Sequence, residues 1–287
     1  MNNIFNELPT AFPFYDDVNQ INGRRENVEN LCAFKLVSPK NALLPFQIRM
    51  NTVKPNPIKW EIYSECDNGF TSPINISENL SKVKIYVFDN VKQAVYFGDA
   101  LTVSGNPLNL VCGAYVSKFT FSDGTYFISE VFYIPENKFN VGESNEFMMV
   151  EFWNDADMEP ILYRDNFRQR IYLDTFVHSA VPEMEEESAK DGVNNPVPIW
   201  QKLTLKYKFT DVVPDFVKIV LVTLQMKDNI YLYLNRERRS GKIDRVLVTA
   251  TPDDTGSFNA VDVVFDDDII VKASCIEENA PSQITHW

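Results

Sequence analysis

The chain has 287 residues, of which 45% are hydrophobic and 13% aromatic, and it carries a formal net charge of −13. This length allows two ordinary domains, and the hydrophobic fraction suffices for buried cores, which excludes a disordered protein. A nucleic-acid-binding protein needs a basic surface, and a chain with this negative net charge does not supply one, so we expect no nucleic-acid partner. Aromatic and β-branched residues are plentiful, which favours strands over long helices.

Residues 1–30 predict an extended N-terminal arm, because prolines and asparagines break any periodic pattern there. The arm nevertheless carries several aromatic side chains, and we predict Phe5, Phe12 and Phe14 as interface residues. Two interpretations remain open: the arm docks on a neighbouring subunit, or it packs on the first domain of its own chain. The first residues lack a positively charged segment followed by an apolar run, so no signal peptide is expected.

Residues 31–139 predict an immunoglobulin-like β-sandwich, because short strand patterns recur between turn signals. The predicted strands are 31–37, 44–50, 59–65, 82–88, 101–103, 114–121 and 126–134. The clearest signal is a hairpin in which Asp123-Gly124 separates two alternating runs, since glycine supplies the positive φ that a tight turn needs. Trp60 is expected to anchor the core.

A polar stretch at 136–145 predicts a linker, and residues 146–287 predict a second β-rich domain. A short helix is predicted over 214–226, because apolar residues fall at helical spacing there and Pro214 suits the first turn. The sequence Arg236-Glu237-Arg238-Arg239 is expected to form a hairpin loop between Leu234 and Val246, with Ser240-Gly241 at the turn, rather than a nucleic-acid patch. The predicted strands are 147–153, 169–176, 201–210, 229–234, 244–251 and 261–271.

Residues 178–198 combine a run of glutamates with Asp191-Gly192 and with prolines, which predicts a solvated acidic loop. Carboxylates are ligands that Ca²⁺ prefers, and the weak calcium candidates are Glu185, Glu186, Asp267 and Asp268. Neither the run of glutamates nor the segment with Asp267 and Asp268 has the ligand spacing of a calcium-binding loop, so we predict no metal site and no cofactor.

The sequence does not assemble a catalytic constellation. The two histidines, His178 and His286, have no recognisable partner for general-base chemistry, and we predict that the protein is not an enzyme. The four cysteines show no metal-ligand spacing and are expected to be buried free thiols. No apolar run approaches the length of a membrane span, which is about 20 residues.

Aromatic residues near the C-terminal half supply further interface candidates. Tyr231 and Tyr233 alternate with Ile230, Leu232 and Leu234, so one of the two sets is expected to face away from the core. Together with Trp153, Trp200 or Trp287 they are candidates for stacking on sugar rings or on a neighbouring subunit. The predicted interface residues here are Tyr231, Tyr233 and Trp287.

Two regions of the sequence resemble a protein family found in phages and prophages of the Bacteroidetes group. One region is the hairpin with Cys112-Gly113-Ala114-Tyr115, Ser122-Asp123-Gly124 and Ser129-Glu130-Val131-Phe132. The other spans residues 163–233. Its matching features are Arg164, the run from Phe167 to Asp174, the acidic run from Glu183 to Glu187, Asp191-Gly192, Pro198, Gln201-Lys202, Lys206-Tyr207, Phe209, Pro214-Asp215-Phe216 and Asp228-Asn229.

The resemblance implies a virion component, made in the host bacterial cytoplasm and built into a symmetric multimer of a tail, baseplate or capsid. Its implied partners are copies of itself and other virion proteins. The alternative is a virion-borne immunoglobulin-like adhesin that binds host-surface or mucosal glycans. A carbohydrate-active enzyme is the third hypothesis, and it needs two carboxylates facing each other across a cleft.

Overall fold

The computed structural model describes residues 10–18, 21, 35–66, 69–70, 73–88, 91–141, 147–158, 160–173, 181–190, 193–234, 237–238, 242–252 and 258–273. Within these residues the protein is mainly β, with antiparallel sheets and one short α-helix, which confirms the predicted class. None of the helices in this part of the chain is both long and apolar enough to cross a membrane.

The first half of the chain forms a seven-stranded sheet, a three-stranded sheet and a small two-stranded pair. Its strands are β1 (Phe14–Tyr15), β2 (Phe46–Asn51), β3 (Pro57–Cys66), β4 (Gly69–Phe70), β5 (Ile74–Asn75), β6 (Val83–Phe88), β7 (Val91–Tyr96), β8 (Thr102–Val103), β9 (Asn106–Pro107), β10 (Gly113–Phe121), β11 (Tyr126–Ser129) and β12 (Phe132–Ile134). The seven-stranded sheet runs β1-β11-β10-β3-β4, with β12 beside β10 and β5 beside β3, and the three-stranded sheet runs β2-β7-β6.

The predicted hairpin and the predicted core tryptophan are both confirmed. β10 and β11 pair across a turn in which Gly124 has a φ of 79°, a conformation that glycine adopts without steric cost. Trp60 is fully buried, lies stacked on Phe119 at 4.7 Å, and donates its indole N–H to the Ser117 hydroxyl at 2.8 Å. The buried polar end of the tryptophan is therefore satisfied.

Several details of this half differ from the prediction. Of the predicted strand 31–37, the described residues 35–37 form only an isolated bridge from Val37 to Tyr133. The strand β7 was missed, because Gln93 and Ala94 do not mark a strand by propensity although both are buried on it. The predicted strand 126–134 is divided into β11 and β12, and the Ser129 hydroxyl accepts the backbone N–H of Ser117 at the interruption.

One hydrophobic core lies between the seven-stranded and three-stranded sheets, since both contribute side chains to it. The N-terminal arm belongs to this core: Phe12 and Phe14 are 0% and 3% exposed and contact Phe46. Beyond β1, Ile21 is buried in a separate small cluster with Val116 of β10. The described part of the arm thus packs on its own chain, the second of the two interpretations left open above.

The second half forms two four-stranded sheets and the helix. Its elements are β13 (Met148–Trp153), β14 (Gln169–Leu173), β15 (Val181–Lys190), β16 (Pro196–Pro214), α1 (Asp215–Thr223), β17 (Asn229–Leu234), β18 (Glu237–Arg238), β19 (Arg245–Pro252) and β20 (Phe258–Ala273). The inner sheet runs β14-β13-β17-β18, and the long-strand sheet runs β15-β16-β20-β19.

A second core joins the inner sheet, the long-strand sheet and α1. The helix is confirmed, and it buries Val217, Val220 and Leu221 at the spacing that places residues on one helical face. The expected hairpin between residues 234 and 246 is wrong, because β17 pairs with the short β18 whereas β19 lies in the other sheet.

The inner sheet is buried on both faces where it meets the first half. Met148 and Val150 belong to the second core, whereas Met149 and Tyr172 belong to the first. The first core therefore continues past the predicted linker at 136–145. Buried side chains of β2 and β7 also reach this region: Gln47 pairs with the backbone of Leu162.

Candidate functional site

An open cleft of about 540 Å³ lies where the three-stranded sheet meets the start of β14. Its volume falls in the range of small-ligand sites. One wall comes from β6 and from the residues that follow β7, and the other from the segment that leads into β14. The cleft is lined by Lys84, Phe97, Asp99, Asp165, Asn166, Arg168 and Arg170.

Asp165 is fixed at the mouth of the cleft by two donors. The Lys84 ammonium lies 3.0 Å from its carboxylate, and the Tyr86 hydroxyl donates to the same oxygen. These hydrogen bonds, that of Tyr86 first, hold the pKa of Asp165 below its ordinary value. Burial, together with the hydrogen bond to Asp165, raises the pKa of Tyr86 to about 12. The tyrosine therefore stays neutral, and the aspartate stays ionised, at neutral pH.

Asp165 and its neighbour Asn166 both adopt left-handed backbone conformations, with φ of 53° and 63°. Aspartate and asparagine tolerate this region better than other non-glycine residues do. The turn they form puts both side chains at the mouth of the cleft, where they are exposed.

A nearly buried carboxylate positions the two arginines of the cleft. Glu151 of β13, whose side chain is 5% exposed, accepts from Arg170 Nε at 2.9 Å and from Arg168 Nη1 at 3.2 Å. The β-ladder explains the arrangement, because Glu151 is the register partner of Arg170. Both guanidinium groups are held in place, and each keeps further N–H donors.

Aromatic rings support both walls. The Arg168 guanidinium lies 4.2 Å from the centre of the Trp153 ring, which is itself stacked with Tyr231 at 5.3 Å. Phe97 on the opposite wall meets Phe167 edge to face at 5.9 Å. Packed aromatic rings therefore support the walls of the cleft, and such support is typical of a binding site and not of a flexible surface.

A second feature is the β-ribbon formed by β15 and the first part of β16, residues 181–206. The sequence-based prediction of a loop here is wrong, because β15 pairs with β16 along its whole length. Side chains of β15 are exposed on both of its faces, and none of its residues belongs to a hydrophobic core. Glutamates obscured the strand in the sequence, since pairing with β16 and not local propensity sets its conformation.

Cross-strand polar pairs hold the ribbon. Glu183 forms an ion pair with Lys206, and Glu186 accepts from Gln201 at 2.7 Å. Hydrogen bonds from Ser188 and then Gln201 lower the pKa of Glu186, and the hydrogen bond to Glu183 raises the pKa of Lys206. At its outer edge β15 has no neighbouring strand in the described chain.

The calcium candidates are not brought together into a site. Glu185 and Glu186 are exposed on β15, whereas Asp268 of β20 binds the Lys202 ammonium at 2.5 Å and the Thr204 hydroxyl at 2.6 Å. Asp267 is buried. Among the residues that the structure describes, no three His, Cys, Asp or Glu side chains are placed to hold a metal ion.

The aromatic interface candidates are placed as follows. Tyr231 and Tyr233 lie on the face of β17 opposite Ile230 and Leu232, but neither set faces fully away from a core, because both tyrosines are only half-exposed. Neither tyrosine lines the cleft. Tyr233 packs against the first core, and its hydroxyl lies 3.4 Å from Glu151. Phe5, Trp287, His178 and His286 lie outside the described residues.

The cysteine expectation needs one correction. Cys112 is an exposed free thiol and not a buried one, because it lies in the segment just before β10. Cys32 and Cys275 fall outside the described residues.

Sequence reasoning missed the cleft, since its two walls come from distant parts of the chain. The only local signal was the alternation of Arg168 and Arg170 on a strand, opposite an acidic residue on its neighbour.

No protein-family model, no curated protein and no solved structure matches the chain.

Proposed function

We propose that the protein is a non-enzymatic structural component of a phage virion, part of a tail, baseplate or capsid, that assembles into a symmetric multimer. It is made in the host bacterial cytoplasm and joins copies of itself and other virion proteins. The observation that carries this proposal is the β15 edge, which is ten residues long, exposed on both faces and without a neighbouring strand on one side among the described residues.

An open edge strand presents a row of backbone N–H and C=O groups that another strand can pair with. The ribbon gains little side-chain burial from its own chain, because β15 lies outside the hydrophobic cores, although β16 also pairs with β20 from Trp200 onward. Contact with a neighbour supplies the missing burial. Val181 and Met184, 49% and 68% exposed, are the apolar side chains that such a contact would cover.

The charge on β15 restricts the symmetry of this contact. Antiparallel pairing of two β15 strands would bring the glutamates between Glu183 and Glu187 of one copy against those of the other. Like charges directly opposite are destabilising. The edge of β15 therefore pairs with a different strand, and a heterologous contact of this kind closes into a ring when its rotation allows.

Substitution of the exposed apolar residues tests this function. We expect the wild-type mass by light scattering to be at least twice the 33.0 kDa of one chain. The double substitution Val181→Lys with Met184→Lys should shift this mass towards that of the monomer. The matched control is Val53→Lys, at a position 86% exposed in the turn after β2, which leaves the mass unchanged. A wild-type monomer contradicts the proposal, as does a multimer that survives the double substitution.

We also propose the finer architecture, in which residues 31–139 and 146–287 are immunoglobulin-like β-sandwich domains. Support comes from the two hydrophobic cores: the first lies mainly between the seven-stranded and three-stranded sheets, and the second lies between the inner sheet, the long-strand sheet and α1. The resemblance of the hairpin at 112–132 and of the segment 163–233 to the phage family supports the virion assignment.

The second candidate function is a virion-borne adhesin for host-surface or mucosal glycans. The cleft favours it, because arginines, carboxylates and an amide converge there on a surface backed by aromatic rings. A glycan array tests this candidate, and binding to none of the glycans would count against it.

A further inference from the structure

The cleft has polar groups that its own ion pairs leave unused. Within the described chain, the Asp99 carboxylate and the Asn166 amide have no side-chain hydrogen-bond partner, and both side chains are exposed at the cleft. Arg168 and Arg170 each donate one N–H to Glu151, and each has further N–H groups that can donate to a ligand. The cleft therefore offers a carboxylate acceptor, an amide and guanidinium donors to a ligand.

The charges of the cleft decide which class of ligand suits it. Three cations line it, and they are matched by the two lining aspartates and by Glu151 behind the arginines. A phosphate or a carboxylate ligand needs an excess of positive charge, which this balanced set does not supply. A neutral molecule with many hydroxyl groups needs donors and acceptors side by side, which the cleft provides.

The two guanidinium groups and Asp165 are held in position before a ligand arrives. Glu151 fixes both guanidinium groups, and Lys84 with Tyr86 fixes Asp165. Preorganised polar groups lose less conformational entropy on binding than mobile surface side chains do. Phe97, half-buried in the wall, adds an apolar surface for the C–H face of a ring.

We infer that this cleft binds a neutral saccharide, with Asp99 and Asn166 recognising hydroxyl groups and Arg168 and Arg170 donating to ring or hydroxyl oxygens. The inference rests on the second candidate function, and it adds the site and the ligand class. It does not depend on self-assembly through β15.

The test uses the full chain on an array of neutral and acidic glycans, followed by titration with the free form of the best-bound neutral glycan. We expect binding to neutral glycans, and at least about a tenfold loss of affinity in Asp99→Ala and in Asn166→Gly. Glycine at position 166 keeps the left-handed backbone while removing the amide. The matched control is Glu136→Ala, an exposed carboxylate that belongs neither to the cleft nor to the ribbon, which leaves affinity unchanged. Near-ultraviolet circular dichroism checks that each variant folds.

The outcomes separate the site from the function. Glycan binding that persists in both cleft variants overturns the site and leaves the adhesin candidate standing. Binding to acidic glycans alone overturns the neutral ligand class. Binding to no glycan overturns this inference together with the adhesin candidate, whereas the assembly proposal is decided independently by the measured mass.

Discussion

The buried amide of Gln47 forms a reciprocal pair with the backbone of Leu162: it accepts the Leu162 N–H at 3.0 Å and donates to the Leu162 carbonyl at 2.5 Å. Gln93 donates to the Gln47 side-chain oxygen and, at 3.1 Å, to the Pro160 carbonyl. Two glutamines of the three-stranded sheet thus substitute for a neighbouring strand along the segment that precedes the cleft. This segment leads directly into the residues that form one cleft wall.

Gln47→Ala tests this link. The substitution leaves the Leu162 N–H and C=O without their partner in a buried site, so we expect the free energy of unfolding to fall by about 2–4 kcal/mol. Denaturant unfolding measures the change. Gln201→Ala on the ribbon is the control and should cost less than about 1 kcal/mol, because the Glu186 partner of Gln201 is exposed. An equal fall in the free energy of unfolding in the two variants would show that the Gln47 pair stabilises the fold no more than an exposed hydrogen bond does.

Glu151→Gln tests the support of the two arginines. Removal of the negative charge leaves Arg168 and Arg170 without their shared carboxylate, and we expect a loss of about 1–3 kcal/mol, moderated because both arginines are partly exposed. Glu185→Gln, at an exposed position on β15, should leave stability within about 0.5 kcal/mol of wild type. A Glu151→Gln variant as stable as this control would contradict the proposed support.

The pair of Tyr86 and Asp165 predicts a pH dependence. The pKa of Tyr86 is raised from 10.0 to about 12, so its contribution to stability is complete below pH 10 and disappears as the pH rises towards about 12. The pKa of Asp165 is lowered, so its contribution is present above the ordinary aspartate pKa of 3.8 and disappears as the pH falls through the lowered value.

An NMR titration of the Asp165 carboxyl carbon measures the second effect. In Tyr86→Phe the pKa of Asp165 should rise towards its ordinary value, because its largest hydrogen bond is gone. Tyr126→Phe on β11 is the control and should not move it. A pKa of Asp165 that is the same in Tyr86→Phe and in wild type would show that the hydroxyl does not reach the carboxylate.

Val220→Ala tests the buried face of α1. Val220 is fully buried in the second core, whereas Val222 on the same helix is 41% exposed. We expect Val220→Ala to lower the free energy of unfolding by about 1–3 kcal/mol through lost burial and a small cavity, and Val222→Ala to have a much smaller effect. The reverse order would mean that the helix presents its other face to the core.

The parts of this fold that were predictable from the sequence are those set by local pattern. The Asp123-Gly124 turn, the helical spacing of Val217, Val220 and Leu221, and the alternation along β17 each depend on neighbouring residues, and each is confirmed. These signals need no knowledge of the rest of the chain.

The elements that were missed depend on distant partners. β15 is a strand because β16 pairs with it, although its glutamates favour a loop by composition. β7 buries a glutamine whose partners lie far along the chain. The cleft combines residues from β6 to Asp99 with residues after Tyr163, and no single stretch of sequence carries that combination.

Amide hydrogen exchange along residues 183–190 tests the central claim most directly, since alternate amides of an edge strand point away from its partner strand. In the multimer we predict slow exchange at the outward amides of β15, and fast exchange at the same amides when dilution produces the 33.0 kDa monomer. Outward amides that exchange as fast in the multimer as in the monomer would contradict assembly through this edge.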